Sequence, residues 1–493
     1  MHPPRFLGLA LLFLALPTFG QATLHVDIGG GAAFTSIQAA VDAAASGDTI
    51  LVEPGIYDEH VSIVVKDLIL RSTQGPGVTA IAPTSPGTGI TTQGLAFGPV
   101  GIDVTIEGFR VTADGSQPNA LNSFVGGINA TATNLTLRQC LVTGCQGAAG
   151  PAVAPIGGTG GINLSQGALS TGSVTVTIEN CAITNNQGGS ATGFFNPGEG
   201  GTGGITVNGS VACTVRHCTI ANNTGGDNLG FSGGFGSGNA GPGGLFVAGG
   251  TLAVEDCVVW GNQGGSNNLG AAANEIAGAA TVSNSDVQGG FAGVGNIDVD
   301  PLFTAPATGD YSPQAGSPVI DAGVCSATNP AGHDVVGNPR VRGFAPDMGA
   351  YEFLHDTTRM GTSEDILLTT VVNGNSAEAL LNTKNIAGGD MLVAHWESPC
   401  GSLDGGLYYL GAQFYVPGQE PMPQFPFVYL DSIGGSIVQG PIPLPAGGVD
   451  FNMTVPTGSF MPAVVRVQVL VVTPLAHHLP FAVTSDAQDL IFQ

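Results

Sequence analysis

Lysine is nearly missing from this chain: only Lys66 and Lys384 occur in 493 residues. Arginine adds little, since Lys and Arg together number 11 against 36 Asp and Glu, a formal net charge of −25. A surface so poor in cations cannot neutralise a run of phosphates, which excludes nucleic acid as a partner. Charge of either sign is scarce, at 10% of residues against about 25% in an ordinary soluble protein. The hydrophobic share of 43% excludes a disordered acidic tail. Long apolar runs are missing too. No stretch of about 18 apolar residues follows the N-terminal segment, so no transmembrane segment is expected in the mature chain. What the chain has instead is glycine, 79 residues, about twice the usual share.

The N-terminus reads as a secretory signal over residues 1–22. Arg5 supplies the positive start, Phe6–Leu16 the short apolar run, and Gly20-Gln21-Ala22 the small residues around a cleavage point. The expected product is secreted, extracellular or held at a cell surface.

Six segments align without gaps over nine residues: VTIEGFRVT from Val104, LTLRQCLVT from Leu135, VTIENCAIT from Val176, CTVRHCTIA from Cys213, LAVEDCVVW from Leu252 and ATVSNSDVQ from Ala280. Their starts lie 31, 41, 37, 39 and 28 residues apart, a stacked-repeat spacing. Within each segment the apolar period is two, with one slip. In VTIENCAIT, Val176 and Ile178 share a face, as do Cys181 and Ile183, yet the step between the pairs is three residues. Both pairs stay inside only if the chain bends at Glu179-Asn180. A third strand precedes each segment, in GGINA from Gly126, GGINL from Gly160, GGITV from Gly203 and GGLFV from Gly243. Three short strands per turn, wound in parallel, predict a β-helix whose columns stack at about 4.8 Å. Glu107, Arg138, Glu179, Arg216 and Glu255 alternate in sign along one column. They read either as a register-fixing surface ladder or as a polar binding rim. Cys140, Cys181, Cys218 and Cys257 form another column. A straight line makes no zinc tetrahedron, so buried free thiols are expected.

This pattern resembles the right-handed parallel β-helix of the pectate-lyase-like superfamily over about residues 34–300. The opening FTSIQAAVDAAASGDTILVEPGIYDEHVSI is similar to the start of that group. It predicts a helix over Thr35–Ala45, with Ile37, Ala40, Val41 and Ala44 on one face, capping the first coil. Residues 297–353 carry IDVDPLF, DYSPQAGSPVIDAG, DVVGNPR and FAPDMGAYEF. They resemble the C-terminal block of exported bacterial β-helix proteins of the choice-of-anchor Q group. Residues 357–493 lose the repeat. Apolar alternation in Ile366–Val372, Gly406–Val416 and Val464–Val472, with Pro and Gly turns, predicts an antiparallel β-sandwich. This end is similar to modules of exported planctomycete proteins, which implies attachment or stabilisation. The expected division is a signal at 1–22, the β-helix at 23–296, its capping block at 297–356 and the sandwich at 357–493.

The superfamily resemblance implies polysaccharide chemistry: a lyase, epimerase or hydrolase needing clustered carboxylates and an Arg such as Arg71, Arg110 or Arg138. The repeat supplies no clear cluster. Outward positions of the GG strands are Asn129, Asn163, Thr206 and Phe246, with Glu275 next. The Gly-rich loops carry Phe194, Phe195, Phe231 and Phe235 with Glu199 and Asp227. Aromatic faces stack on sugar rings, and amides and acids bind hydroxyls; the alternative is that these Phe residues tuck the loops against the body. The expected partner is therefore a polysaccharide or cell-surface glycan, bound by a weakly catalytic or non-catalytic protein, with an adhesive structural role as a further reading. Asp300, Asp321, Asp334, Asp347 and Glu352 form an acidic set near Arg340 and Arg342, read either as carboxylates for calcium, with the four aspartates as donors, or as a structural cap in which Arg340 pairs with an Asp. A Cys325–Cys400 bridge is left open, and His477-His478 reads as a solvated turn.

Overall fold

The computed structural model describes residues 21–95, 101–115, 125–150, 156–167, 172–191, 198–228, 239–267, 270–325, 332–355, 365–420, 428–430, 436–457, 463–473 and 482–492. Most of the expected signal, Met1–Gly20, lies outside them.

The slip in the repeat becomes a backbone bend. Gly108, Gln139, Asn180, His217, Asp256 and Asn284 all have positive φ, between 47° and 80°. One left-handed residue turns the chain from one parallel sheet into the next. Among the described residues the first sheet has nine strands, one from each successive coil. It includes Thr133–Arg138, Val174–Glu179 and Val211–Arg216. The sheet after the bend has eight strands and the sheet of GG strands seven, again in coil order. Every pairing among these strands is parallel and gap-free, as in Arg138↔Glu179 and Asn129↔Asn163. Parallel crossovers of this kind are right-handed, and the result is a right-handed parallel β-helix. Its interior is a continuous apolar core from Val26 to Val287.

The helix is shorter than expected, Ile37–Ala43. Ser36 caps it, accepting from Ala39 N at 3.2 Å, and Glu59 from the following coil accepts from Ile37 N at 2.7 Å and Gln38 N at 2.9 Å. Ala44 turns extended. Lys66 closes the other end by donating to the carbonyls of Val41 and Ala44. Ile37, Ala40 and Val41 are buried over the first coil.

Inside the bend, the backbone N–H after each left-handed residue needs an acceptor. Cys140 N, Cys181 N and Cys218 N each donate to the next coil's thiol at 3.4 Å, and Cys257 N donates to Ser285 Oγ at 3.0 Å. All four thiols are free and buried, as are Cys145 and Cys213. Burial pushes Cys145 up to about 12, and a structural thiol buried in this way is inert. A second column lies five residues further on. Cys145 N, Asn186 N and Asn223 N donate to the side-chain oxygens of Asn186, Asn223 and Asn262 at 2.9, 3.0 and 2.9 Å. Asn186 and Asn223 each also donate from Nδ2 to a core-side carbonyl and to the next asparagine of the column.

The described residues 297–325 and 332–355 run along the outer face of the eight-stranded sheet rather than only over the last coil. Gln139 Nε2 donates to Asp334 O at 3.0 Å, Tyr311 OH to Asn185 Oδ1 at 2.9 Å, and Ala350 N to Thr219 Oγ1 at 2.9 Å. The open end of the helix is closed by the following turn, where Ile297 N donates to Ser285 O. From Leu367 onward a three-stranded antiparallel sheet faces a six-stranded, mostly antiparallel one. Trp396, Tyr408, Leu410, Val469 and Val471 fill the space between. Cys325 and Cys400 form a disulfide, tying the flank block to this sandwich.

Candidate functional site

The Gly-rich segments leave the body at the corner between the eight- and seven-stranded sheets and form a thin fin. Outgoing arms bridge in parallel, Gln146↔Gln187↔Thr224↔Gln263, and returning arms do so at Ile156↔Glu199. A second set of bonds zigzags between the two layers. Gly158 N donates to Ala148 O, Gly189 N to Gly158 O, Gly201 N to Gly189 O, Gly226 N to Gly201 O and Gly241 N to Gly226 O, each at 2.7–2.8 Å. Backbone thus packs on backbone with no room for a side chain: a Cβ on Gly157, Gly189, Gly201 or Gly241 would lie 1.8–1.9 Å from a carbonyl oxygen. This explains much of the glycine excess. The arms are structural at their bases, where the sequence suggested binding loops.

Phe194, Phe195, Phe231 and Phe235 lie outside the described residues, as do His477-His478. Glu199 is exposed on a returning arm. Asp227, on an outgoing arm, accepts from Ser266 N at 2.7 Å and Ser266 Oγ at 2.9 Å, so its carboxylate holds two arms together.

Asn129, Asn163 and Phe246 do share one row. Register places Thr91, Asn129, Asn163, Thr206 and Phe246 side by side on the outer face of the seven-stranded sheet. Next to this row run Gln93, Thr131, Ser165 and Asn208. Both rows are uncharged. Asn163 Nδ2 donates to Asn129 Oδ1 at 2.9 Å, and Thr131 Oγ1 and Ser165 Oγ are 3.0 Å apart. The fin meets this face where Thr159 Oγ1 and Thr206 Oγ1 lie 2.9 Å apart.

Glu275 does not continue the row; Ala277 does, opposite Phe246. The last coil has Asn274-Glu275 where earlier coils have the GG pair, and the Glu275 side chain points inward. There it ends the asparagine column, accepting from Asn262 Nδ2 at 2.5 Å and Asn262 N at 3.2 Å. Burial lifts its carboxyl to about 7 against those bonds. A cleft of about 340 Å³ opens beside it. Sequence reasoning does not find the asparagine column, although Asn186, Asn223 and Asn262 each stand five residues after a column cysteine.

The other faces are committed elsewhere. On the nine-stranded sheet the sign-alternating column forms ion pairs Arg138–Glu179 at 3.3 Å and Arg216–Glu255 at 3.1 Å, and Arg71 extends it by pairing with Glu107 at 2.9 Å. Arg71 and Arg138 are therefore ladder members. The ladder is register-fixing in kind, since each rung links neighbouring coils.

The four aspartates read as calcium donors are not brought together as a ligand set. Asp334 accepts from Val336 N, Asn338 N, Asn338 Nδ2 and Glu352 N. Asp347 accepts from Asp321 N at 2.8 Å and Phe353 N at 2.6 Å. Asp321 accepts from Ala345 N and Asp300 from Leu302 N. Arg340 pairs with Glu352 at 3.1 Å, where an aspartate was expected. Among the described residues no three His, Cys, Asp or Glu groups converge as a metal site. No described helix is long and apolar enough to cross a membrane.

No protein-family model matches the chain, and no curated protein matches it. Similar solved structures include a pectin methylesterase in complex with a hexasaccharide, at 12% identity and TM-score 0.27, covering 55% of this chain and 80% of that one. Another is pectin methylesterase PemA from Erwinia chrysanthemi, at 12% identity and TM-score 0.27, covering 61% of this chain and 99% of that one. Likenesses of this size carry no argument about activity; the architecture stands on the register of the chain's own strands.

Proposed function

We propose that this is an exported protein that binds neutral polysaccharide along the corner between the seven-stranded sheet and the fin. The observation that carries the reading is the pair of uncharged rows, one of which carries Phe246. Hydroxyls and amides spaced by the coil repeat present donors and acceptors to sugar hydroxyls, and an aromatic face can stack on a ring. A formal charge of −25 repels anionic polymers at long range, which favours neutral ones. No described outward position of those two rows carries a carboxylate, so binding without cleavage is the reading for this face. Export is supported by the pattern of residues 1–22 and by the Cys325–Cys400 disulfide, which belongs to an oxidising compartment. The sandwich supports a retention role through its exposed apolar side chains, Phe414 and Ile437 among them.

The test is co-sedimentation with insoluble neutral polysaccharides, comparing the wild type with Phe246→Ala and Asn163→Leu. Weakened binding in both, with unchanged thermal melting, supports the reading. Full binding by both variants overturns the assignment to this face.

A further inference from the structure

The last coil of the β-helix carries a cleft, lined by amide and carboxyl side chains and by glycine, that the binding rows do not include. It lies at the base of the last fin arm, between Gln263 and Asn274 on one side and the closing turn at Gln288-Gly289 on the other, with Asn262 and Glu275 lining it. Its position follows from the register. Ile276 pairs with Leu245 and Ala277 with Phe246, so Glu275 immediately precedes the strand that continues the row past Phe246. The cleft thus lies at the coil on which the row ends, one residue before its last strand.

The lining is chemically one-sided. Asn274 Oδ1 accepts from Gly264 N at 3.0 Å, and Gln288 Oε1 accepts from Gly261 N at 2.8 Å. With both oxygens pinned by backbone, the two NH2 groups are left to donate outward. Opposite them stands one carboxylate, 7% exposed, held by the end of the asparagine column. Donors on the walls and an acid at the floor match a group with several hydroxyls, each able to accept from an amide and donate to a carboxylate. An apolar ligand would leave these groups unpaired. A volume of about 340 Å³ is at the small end of ligand pockets, enough for about one sugar ring.

We infer that this cleft binds the terminal sugar unit of a neutral polysaccharide, with the amides of Asn274 and Gln288 as donors and Glu275 as the acceptor at its floor. The inference rests on the polysaccharide-binding reading above and adds a specific end subsite to it. A hydrogen bond to an ionised acceptor is the stronger one, so the ionised form of Glu275 binds more tightly. Because burial places its carboxyl near 7, affinity should change across neutral pH. Among the described residues that line the cleft, Glu275 is the one titratable group; its neighbours there are asparagine, glutamine and glycine.

The probes are cellotetraose, xylotetraose, mannotetraose and maltotetraose, titrated into the full mature chain by calorimetry from pH 5.5 to 8.5. At least one is expected to bind about tenfold tighter at pH 8.5 than at pH 5.5, the equivalent of one good hydrogen bond. Glu275→Gln should flatten that profile, and Gln288→Ala should weaken binding about fivefold or more at every pH, with Phe246→Ala affecting polymer more than tetrasaccharide. Thermal melts of both cleft variants check that each is folded. If polymer binds but no tetrasaccharide does, or if tetrasaccharide affinity is indifferent to pH and to both cleft variants, the cleft is not the subsite and the polymer reading stands. If neither polymer nor tetrasaccharide binds, both readings fall.

Discussion

Replacing Gly189 by alanine tests the backbone-on-backbone packing of the fin. The new Cβ would lie 1.8 Å from Ala148 O, whereas ordinary contact begins at 3.4 Å. The layers must therefore part by about 1.6 Å at this point. Gly189 N→Gly158 O and Gly201 N→Gly189 O, both 2.8 Å, would then stretch beyond hydrogen-bonding range. Each loses about 1 kcal/mol of net bond and leaves a buried group unsatisfied at about 1–3 kcal/mol. The combined cost is about 4–8 kcal/mol, a large fraction of the 5–15 kcal/mol that holds an ordinary domain together. Gly77→Ala is the control. Gly77 sits in a turn, without a positive φ and with no heavy atom within 4 Å of where its Cβ would stand. Its replacement should be neutral or stabilise by up to about 1 kcal/mol. Urea unfolding gives the global effect, and amide hydrogen exchange of residues 146–160 and 187–203 gives the local one. Faster exchange throughout the fin of the Gly189 variant is expected. Equal midpoints and equal exchange for the two variants would refute the packing argument.

Asp286 is fully buried, with Oδ1 accepting from Val299 N at 3.2 Å and Oδ2 without a partner among the described residues. Burial lifts its carboxyl to about 7, and the charges of Asp298 and Asp300 add to the rise. A carboxyl raised in the folded state holds its proton there while the unfolded chain releases it, so stability should fall as pH rises from about 4 to about 7 and then level off. Asp286→Asn should raise the melting temperature at pH 8 and leave it nearly unchanged at pH 4; equal effects at both would contradict this. Asn223→Leu removes an acceptor and a donor from the middle of the asparagine column. Its cost should be about 3 kcal/mol or more, against less than about 1 kcal/mol for an exposed substitution; urea midpoints compare the two. Thiol titration should give no rapid reaction in the native protein and six reactive groups after unfolding without reductant, matching the six free cysteines; eight would mean that Cys325 and Cys400 are not bridged.

The period-two pattern with a slip is enough to read the coil, because each bend repeats at one offset and each column repeats its chemistry. Cys140, Cys181, Cys218 and Cys257 are legible as a buried line for that reason. Glu275 is misplaced by the sequence pattern because the last coil lacks the GG pair that aligns the others; only the pairing of Ile276 with Leu245 shows that its side chain turns inward. The asparagine column is present in NNQ, NNT and GNQ, but a polar residue inside a β-helix reads as a turn until its donors are counted. Glycine in the fin is ambiguous in kind. Chain freedom and close packing both select it, and distances such as 1.8 Å to a facing carbonyl decide between them. The flank block is recognisable as a unit, yet nothing in its sequence says that Gln139 and Asn222 are its partners.

The most direct measurement is one incubation series. The protein meets a panel of neutral and acidic polysaccharides, bound protein is separated from free, and mass spectrometry reads the lengths of the recovered chains. The account predicts retention on one or more neutral polymers, little on acidic ones, and chains of unchanged length. Shortened or unsaturated chains, or retention on acidic polymers alone, would contradict it.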